Sequence, residues 1–255
     1  MPDPRAVLVT MPHSHYAEKA RWALDWLGLP YREERHVPLL HRVATMRRGG
    51  GSVPLLLHGT ERLTASADIL RHADAACGGD RLLPADAATR REVLALEGRF
   101  DSTLGVHTRR WAYAQLLPDR AGLRRIMSHG VPRFEAALLV VLMPAIVPLV
   151  RRAFRITPAS AERSRQRVRE EFALVDALLA DGRRYLVGGR FSAADLTFAA
   201  LASPVLLPPQ CGAPYPALDR APAAMRDEVR QLRDSAAGRF ALRLYAEERA
   251  ARPSA

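Results

Sequence analysis

The sequence predicts an α+β protein in which a small sheet-containing unit precedes a run of helices. Up to about residue 80, short apolar runs bounded by Gly, Pro and Asp alternate with helical patterns. A linker rich in Gly, Pro and Asp follows at residues 78–87 (GGDRLLPADA), and strand patterns do not return after it. Strands followed by helices are the order of an α+β chain or of two domains. With 255 residues there is room for two domains of ordinary size. The expected division is residues 1–80 and residues 88–255.

The elements follow in order. Ala6 to Thr10 is a short apolar run, and Pro12, His13, Ser14 and His15 come after it. Tyr16, Ala20, Ala23, Leu24 and Leu27 then recur at i, i+4, i+7, i+8 and i+11, one face of a helix. Gly28 suits its C′ position and Pro30 bars continuation. This reads as strand, tight loop and helix, with Ser14 at the helix N-terminus. Free N–H groups and partial positive charge there favour an anion. A hydroxyl in that place can hydrogen-bond the thiolate of a bound ligand, and it is equally an ordinary N-cap.

Tyr31 to His36 alternates weakly, as a second strand does. Pro38 to Arg48 reads as a loop or short helix, and His36 and His41 lack a third ligand spaced for a metal. Gly49-Gly50-Gly51 is a hinge without the Lys-Ser/Thr of a phosphate loop. Val53-Pro54-Leu55-Leu56-Leu57 is a strand that carries a proline near its start. His58 to Glu61 is a turn, and Arg62 to Thr64 a returning strand. Ser66 opens a helix with Ile69, Leu70 and Ala73 on one face, ended by Cys77-Gly78-Gly79. The order β-α-β-(α)-β-β-α is that of a thioredoxin-like domain.

Beyond the linker, Val93, Leu94, Leu96, Glu97 and Phe100 start a long helix running towards Trp111. Pro158 stands at N1 of another, with Val168, Phe172, Val175 and Leu179 facing inward. Ser192 to Asp195 is a near capping box before an apolar run. Pro208 to Ala223 is proline-rich, and Met225 to Arg249 is a charged helical stretch. Ala136 to Val150 is uncharged, fifteen residues long, and interrupted by Pro144 and Pro148. A spanning helix needs about 20 apolar residues, so a kinked helix buried in the helical half is expected. The flanking Arg133, Arg151, Arg152 and Arg155 keep peripheral membrane contact as the alternative.

Composition is that of an ordinary globular chain, 48% hydrophobic and 25% charged. No signal peptide is recognisable. Cys77 and Cys211 form no C-x-x-C, so neither a disulfide framework nor a metal site is expected, and a reducing cytoplasm is the default location. The formal net charge of +11 comes from scattered arginines, Lys19 being the only lysine. Without clustering, this charge does not indicate nucleic-acid binding.

The segment S-H-Y-A-E-K-A-R-W-A-L, the Val53-Pro54 strand start, the Thr64-Ala65-Ser66 corner and the string Y-L-V-G-G-R-F-S-A-A-D-L together resemble the cytosolic-type glutathione S-transferase superfamily, with omega- and zeta-type bacterial members as the nearest likeness. The resemblance implies a thioredoxin-like glutathione-binding domain over residues 1–80 and an all-helical domain over 88–255. It places Ser14 at the catalytic position. It assigns Val53, before a cis Pro54, to the cysteinyl part of glutathione, and Ala65 with Ser66 to the γ-glutamyl part. Ala65 stands where the family has an acid. His15, Trp111 and Tyr113 are candidates for lining the electrophile pocket, while Ser192 and Asp195 become folding residues. The implied activity is attack of the glutathione thiol on a small hydrophobic electrophile, with glutathione as co-substrate, no metal, and a homodimer. The alternative is a non-catalytic transferase-fold protein that binds a hydrophobic ligand, a protein partner or a membrane surface.

Overall fold

The computed structural model describes residues 6–213, 215 and 217–249. Its N-terminal part contains β1 (Ala6–Thr10), α1 (His15–Leu27), β2 (Tyr31–Arg35), α2 (Leu40–Met46), β3 (Leu55–His58), β4 (Glu61–Leu63) and α3 (Ser66–Ala76). The four strands form one sheet in the order β2-β1-β3-β4. β1 pairs parallel to β2, starting with Ala6 opposite Tyr31, and antiparallel to β3, with Val9 opposite Leu55. β3 turns back antiparallel onto β4. This is a thioredoxin-like sheet, and its parallel β1-α1-β2 crossover puts α1 on one face.

Helices follow. α4 (Ala87–Arg99) runs through a π-type turn (Phe100–Leu104) into α5 (Gly105–Leu116). Next come α6 (Arg120–Met127), α7 (Arg133–Ala153), α8 (Pro158–Leu178), α9 (Ala193–Leu206), α10 (Ala223–Asp234) and α11 (Ala236–Leu244). Among the described residues every strand precedes Thr64. The α+β order read from the sequence is therefore the observed one.

α9 is the centre of the helical part. All fourteen of its residues are buried, so it is apolar on every side, as a core helix must be. Its start is fixed by Asp195, whose carboxylate accepts from Ser192 N–H (2.8 Å), Ser192 Oγ (2.7 Å) and Leu186 N–H (2.7 Å). Burial pushes the Asp195 carboxyl up to about 6, against the hydrogen bonds that pull it down. One continuous core joins sheet residues such as Leu8 and Leu56 to Trp22 and Leu24 of α1 and to Phe198 and Leu201 of α9. A smaller cluster of Val37, Tyr113, Leu117, Leu123, Met127, Leu139, Met143, Ile146 and Ile156 holds α6 and α7 against α5.

α7 departs from expectation. It is one helix of 21 residues that continues through Pro144 and Pro148, and it is not buried: Leu139, Met143 and Ile146 face inward, while Val141 is 74% exposed. Pro144 and Pro148 both lie on the exposed side, where the carbonyls they leave unpaired meet water.

Replacing Asp195 by Ala leaves two buried N–H donors without an acceptor. We expect a loss of about 3 kcal/mol of stability, read as a lower urea midpoint at unchanged slope.

Candidate active site

A cleft of about 230 Å³ lies between the two parts of the chain. On one side are the loop from Met11 to Tyr16, α2 residues His41 and Arg42, and the segment from Gly51 to Val53. On the other are Arg109 and Tyr113 of α5, Ile146, Leu149, Val150 and Ala153 of α7, and Phe154. Among the described residues no carboxylate lines it.

Ser14 is the N-cap of α1, in extended backbone, and its Oγ accepts the Ala17 N–H at 3.2 Å. A serine hydroxyl is one donor and two acceptor sites. With the cap bond filling one acceptor site, the O–H proton is available to a group in the cleft. The loop behind Ser14 is held by Arg21, whose Nη2 donates to the carbonyls of Met11 (3.3 Å) and Pro12 (3.1 Å). Arg21 is itself buried and paired with Glu18 and Glu33 at 3.0 and 2.7 Å. Burial pushes the Glu33 carboxyl up, but Arg21 and hydrogen bonds from Arg35, Thr10 and Arg21 outweigh it and hold the group at about 2.

Three histidines of the cleft are neutral. Burial, assisted by the Arg109 charge, takes His15 down to about 3, so its Nε2 carries the proton it donates to Gly105 O at 2.8 Å. Burial takes His13 to about 4 and His41 likewise to about 4. His13 Nε2 shares a 2.6 Å hydrogen bond with Tyr113 Oη, and its Nδ1 is buried without a partner. The Tyr16 hydroxyl is committed to Asp101 O at 2.8 Å. The closeness of α1 to α5 requires Gly105, since a Cβ there would lie 2.5 Å from Tyr16 Oη.

Arg109 is the cleft's interior cation. Its guanidinium stacks over the rings of Phe154 (4.3 Å) and Tyr16 (5.7 Å), and its Nε is buried without a hydrogen-bond partner. Among the described residues it makes no ion pair with a carboxylate.

Of the residues singled out in the sequence, Ser14, His15, Val53 and Tyr113 meet in this cleft. The Val53–Pro54 peptide is cis, and Pro54 is buried beside β3. Ala65 is exposed and caps α3 without any side-chain hydrogen bond; Ser66 is buried at the first position of that helix. Neither is among the cleft-lining residues. Trp111 is 4% exposed and belongs to the main core rather than the cleft. Two residues along a helix are about 200° apart, so Trp111 and Tyr113 cannot share one face. Arg21 and Arg109 were not singled out. A signal existed for Arg109, because Gly105, Arg109 and Tyr113 follow at i, i+4 and i+8 on one face of α5.

The chain matches the glutathione S-transferase N-terminal domain over residues 8–81 and the glutathione S-transferase C-terminal domain over residues 158–226. It belongs to the glutathione S-transferase superfamily. Solved structures of similar fold include the beta-etherase LigF from Sphingobium sp. strain SYK-6 (19% identity, 94% of this chain and 99% of that one, TM-score 0.58). Another is a glutathione S-transferase from Rhodospirillum rubrum F11 (20% identity, 95% and 99%, TM-score 0.57). A third is the theta class glutathione S-transferase from Xanthomonas axonopodis pv. citri with glutathione bound (19% identity, 94% and 97%, TM-score 0.56). No curated protein sequence matches.

The neutral histidines make stability depend on pH. Their folded pKa values lie below the ordinary 6.5, so below that pH the unfolded chain binds more protons and stability falls as pH drops towards about 4. His15→Gln keeps a donor for Gly105 but removes one titrating group. Its unfolding free energy should decline less steeply, by about 1.4 kcal/mol per pH unit in this window, as measured by urea unfolding at a series of pH values.

Proposed function

We propose that this protein is a glutathione transferase in which the Ser14 hydroxyl stabilises the glutathione thiolate for attack on a hydrophobic electrophile. The observation that carries the reading is the placement of Ser14: it caps α1 through Ala17 N–H and still has its own proton to give, in a cleft that no carboxylate among the described residues lines. A free thiol has a pKa of about 8.5, and a helix N-terminus with a donor hydrogen bond brings such groups to about 7.5 or lower. The thiol proton leaves to solvent, the sulfur forms a bond to the electrophilic carbon, and the leaving group departs with the bonding electrons. Neutral His13, His15 and His41 offer no imidazolium proton to quench the thiolate at neutral pH.

In this reading Val53 backbone groups take the cysteinyl part. The uncapped N-terminus of α3, at Ala65 and Ser66, receives the γ-glutamyl carboxylate. Residues 1–80 form the glutathione domain. Residues 88–255 supply the electrophile side of the cleft, where the rings of Tyr113 and Phe154 lie tilted against one another, centroids 5.3 Å apart. The reading includes a cytoplasmic homodimer pairing the N-terminal domain of one copy with the helical domain of the other. Light scattering at micromolar concentration tests the dimer, and a monomer would count against it.

Ser14→Ala should remain folded, because losing the cap costs about 0.5–2 kcal/mol. Its pH–rate profile with glutathione and chlorodinitrobenzene should move up by about one unit, with roughly tenfold lower turnover at neutral pH. A profile superimposable on that of the unsubstituted protein would reduce Ser14 to a helix cap.

Ala65 leaves the γ-glutamyl ammonium without a carboxylate. Ala65→Glu, at an exposed position, should tighten glutathione binding about tenfold in calorimetry through one charge-assisted hydrogen bond. No change would remove glutathione from the α3 N-terminus.

A further inference from the structure

The outward face of α7 is explained by neither the fold nor the cleft. Phe134, Leu138, Val140, Val141 and Leu149 are 69%, 38%, 50%, 74% and 47% exposed. Every other exposed residue between Phe134 and Leu149 is Ala or Pro. Only 22% of the most apolar 18-residue window of this helix is buried in the protein. Monomeric soluble proteins rarely leave so continuous an apolar surface without a use.

Charge identifies what covers it. Arg133 at one end and Arg151 and Arg152 at the other are exposed. The one acid of the helix, Glu135, is 2% exposed and accepts from His36 Nδ1 (2.6 Å) and Val37 N–H (2.9 Å). No carboxylate therefore faces outward along α7. A two-fold pairing of α7 with a second copy would set Arg133 against Arg133, or against Arg151 and Arg152, with nothing on the helix to neutralise them. Anionic phospholipid headgroups complement the arginines, while acyl chains take the apolar stripe. The helix is about 32 Å long but cannot span a bilayer here, because Leu139, Met143 and Ile146 pack on α5 and α6.

We propose that α7 seats the protein on an anionic lipid surface, lying flat with Phe134, Leu138, Val141 and Leu149 sunk to the acyl boundary. Leu149 belongs both to this face and to the cleft wall, so the cleft opens beside the seated surface. The seating stands independently of whether the cleft turns over glutathione.

Vesicle flotation tests it, with phosphatidylcholine–phosphatidylglycerol vesicles compared with phosphatidylcholine alone. The unsubstituted protein should float with the mixed vesicles, and less with the neutral ones. Val141→Asp, at a position with no packing role, should lose flotation with both while keeping its circular dichroism melt. Arg151→Glu with Arg152→Glu should weaken binding to the anionic vesicles about twentyfold or more, from about fivefold per arginine. Absence of flotation by the unsubstituted protein, or unchanged flotation by Val141→Asp, would overturn the proposal. Sedimentation showing self-association that Val141→Asp abolishes would overturn it too, and would assign the face to a second copy.

Discussion

The structure depends on pairing three charges buried on one helix. Glu18, Lys19 and Arg21 of α1 are each no more than 1% exposed. A buried ion without a partner costs several kcal/mol, so α1 is stable only where partners converge from other parts of the chain. Lys19 meets Glu97 of α4 and, at 2.8 Å, Asp101 of the π-type turn. Glu18 takes Arg249 at 2.9 Å and the Gly212 N–H at 3.0 Å. Arg21 takes Glu33 on β2 and reaches the loop carbonyls behind Ser14. The same helix thus fastens the sheet to the helical part and sets where its own N-terminus points. Ser14 has its position because three side chains one and two turns further on have nowhere else to go.

This constraint also explains what could be read in advance. Local signals were legible: Gly28 with a left-handed φ of 73° ending α1, Thr157 capping α8 ahead of Pro158, and Ser192 with Asp195 starting α9. They depend on neighbours within a few residues. The meeting of Ser14, Val53 and Tyr113 was approached only through resemblance, since no periodicity joins positions so far apart. The pairing of Glu18 with Arg249 spans 231 residues and leaves no trace in a pattern. Trp111 and Tyr113 both end the same long helix, but their spacing puts them on opposite faces, one in the core and one in the cleft. In α7 the apolar run suggested burial, yet amphipathic period and exposure are separate matters: a uniformly apolar run has no polar face to say which side is outward.

The cleft's electrostatics are unusual for a site bordered by several titratable side chains. Burial removes charge from its histidines and leaves the guanidinium of Arg109 as a cation beside them. Its hydration is replaced partly by the rings of Phe154 and Tyr16 rather than by an acid. Arg109, Arg42 and the α1 N-terminus therefore impose a positive potential in a mostly apolar space. That field favours an anion wherever it sits, whether a sulfur near Ser14 or an acidic group on what approaches it. Desolvation makes the effect larger than the same charges would produce at a surface.

α7 links this field to the outside of the molecule. Its inner residues close the cleft, and its outer residues form the exposed stripe, so anything that moves the helix changes both. Glu135 anchors its first turn to the β2–α2 connection through His36 and Val37, and further along Leu139, Met143 and Ile146 sit in the smaller core with Val147 and Val150 packed against it. That connection runs on into Pro38 and Leu39 of the cleft lining, to which the later turns of α7 add Ile146, Leu149, Val150 and Ala153. A surface engaging Leu149 would act beside Val150 and Ala153 of the cleft wall. For a lipophilic electrophile dissolved in acyl chains, a cleft opening at the lipid boundary also shortens the path through water, where its concentration is lowest. Binding and loading would then depend on one helix face, which couples where the protein sits to what its cleft can receive.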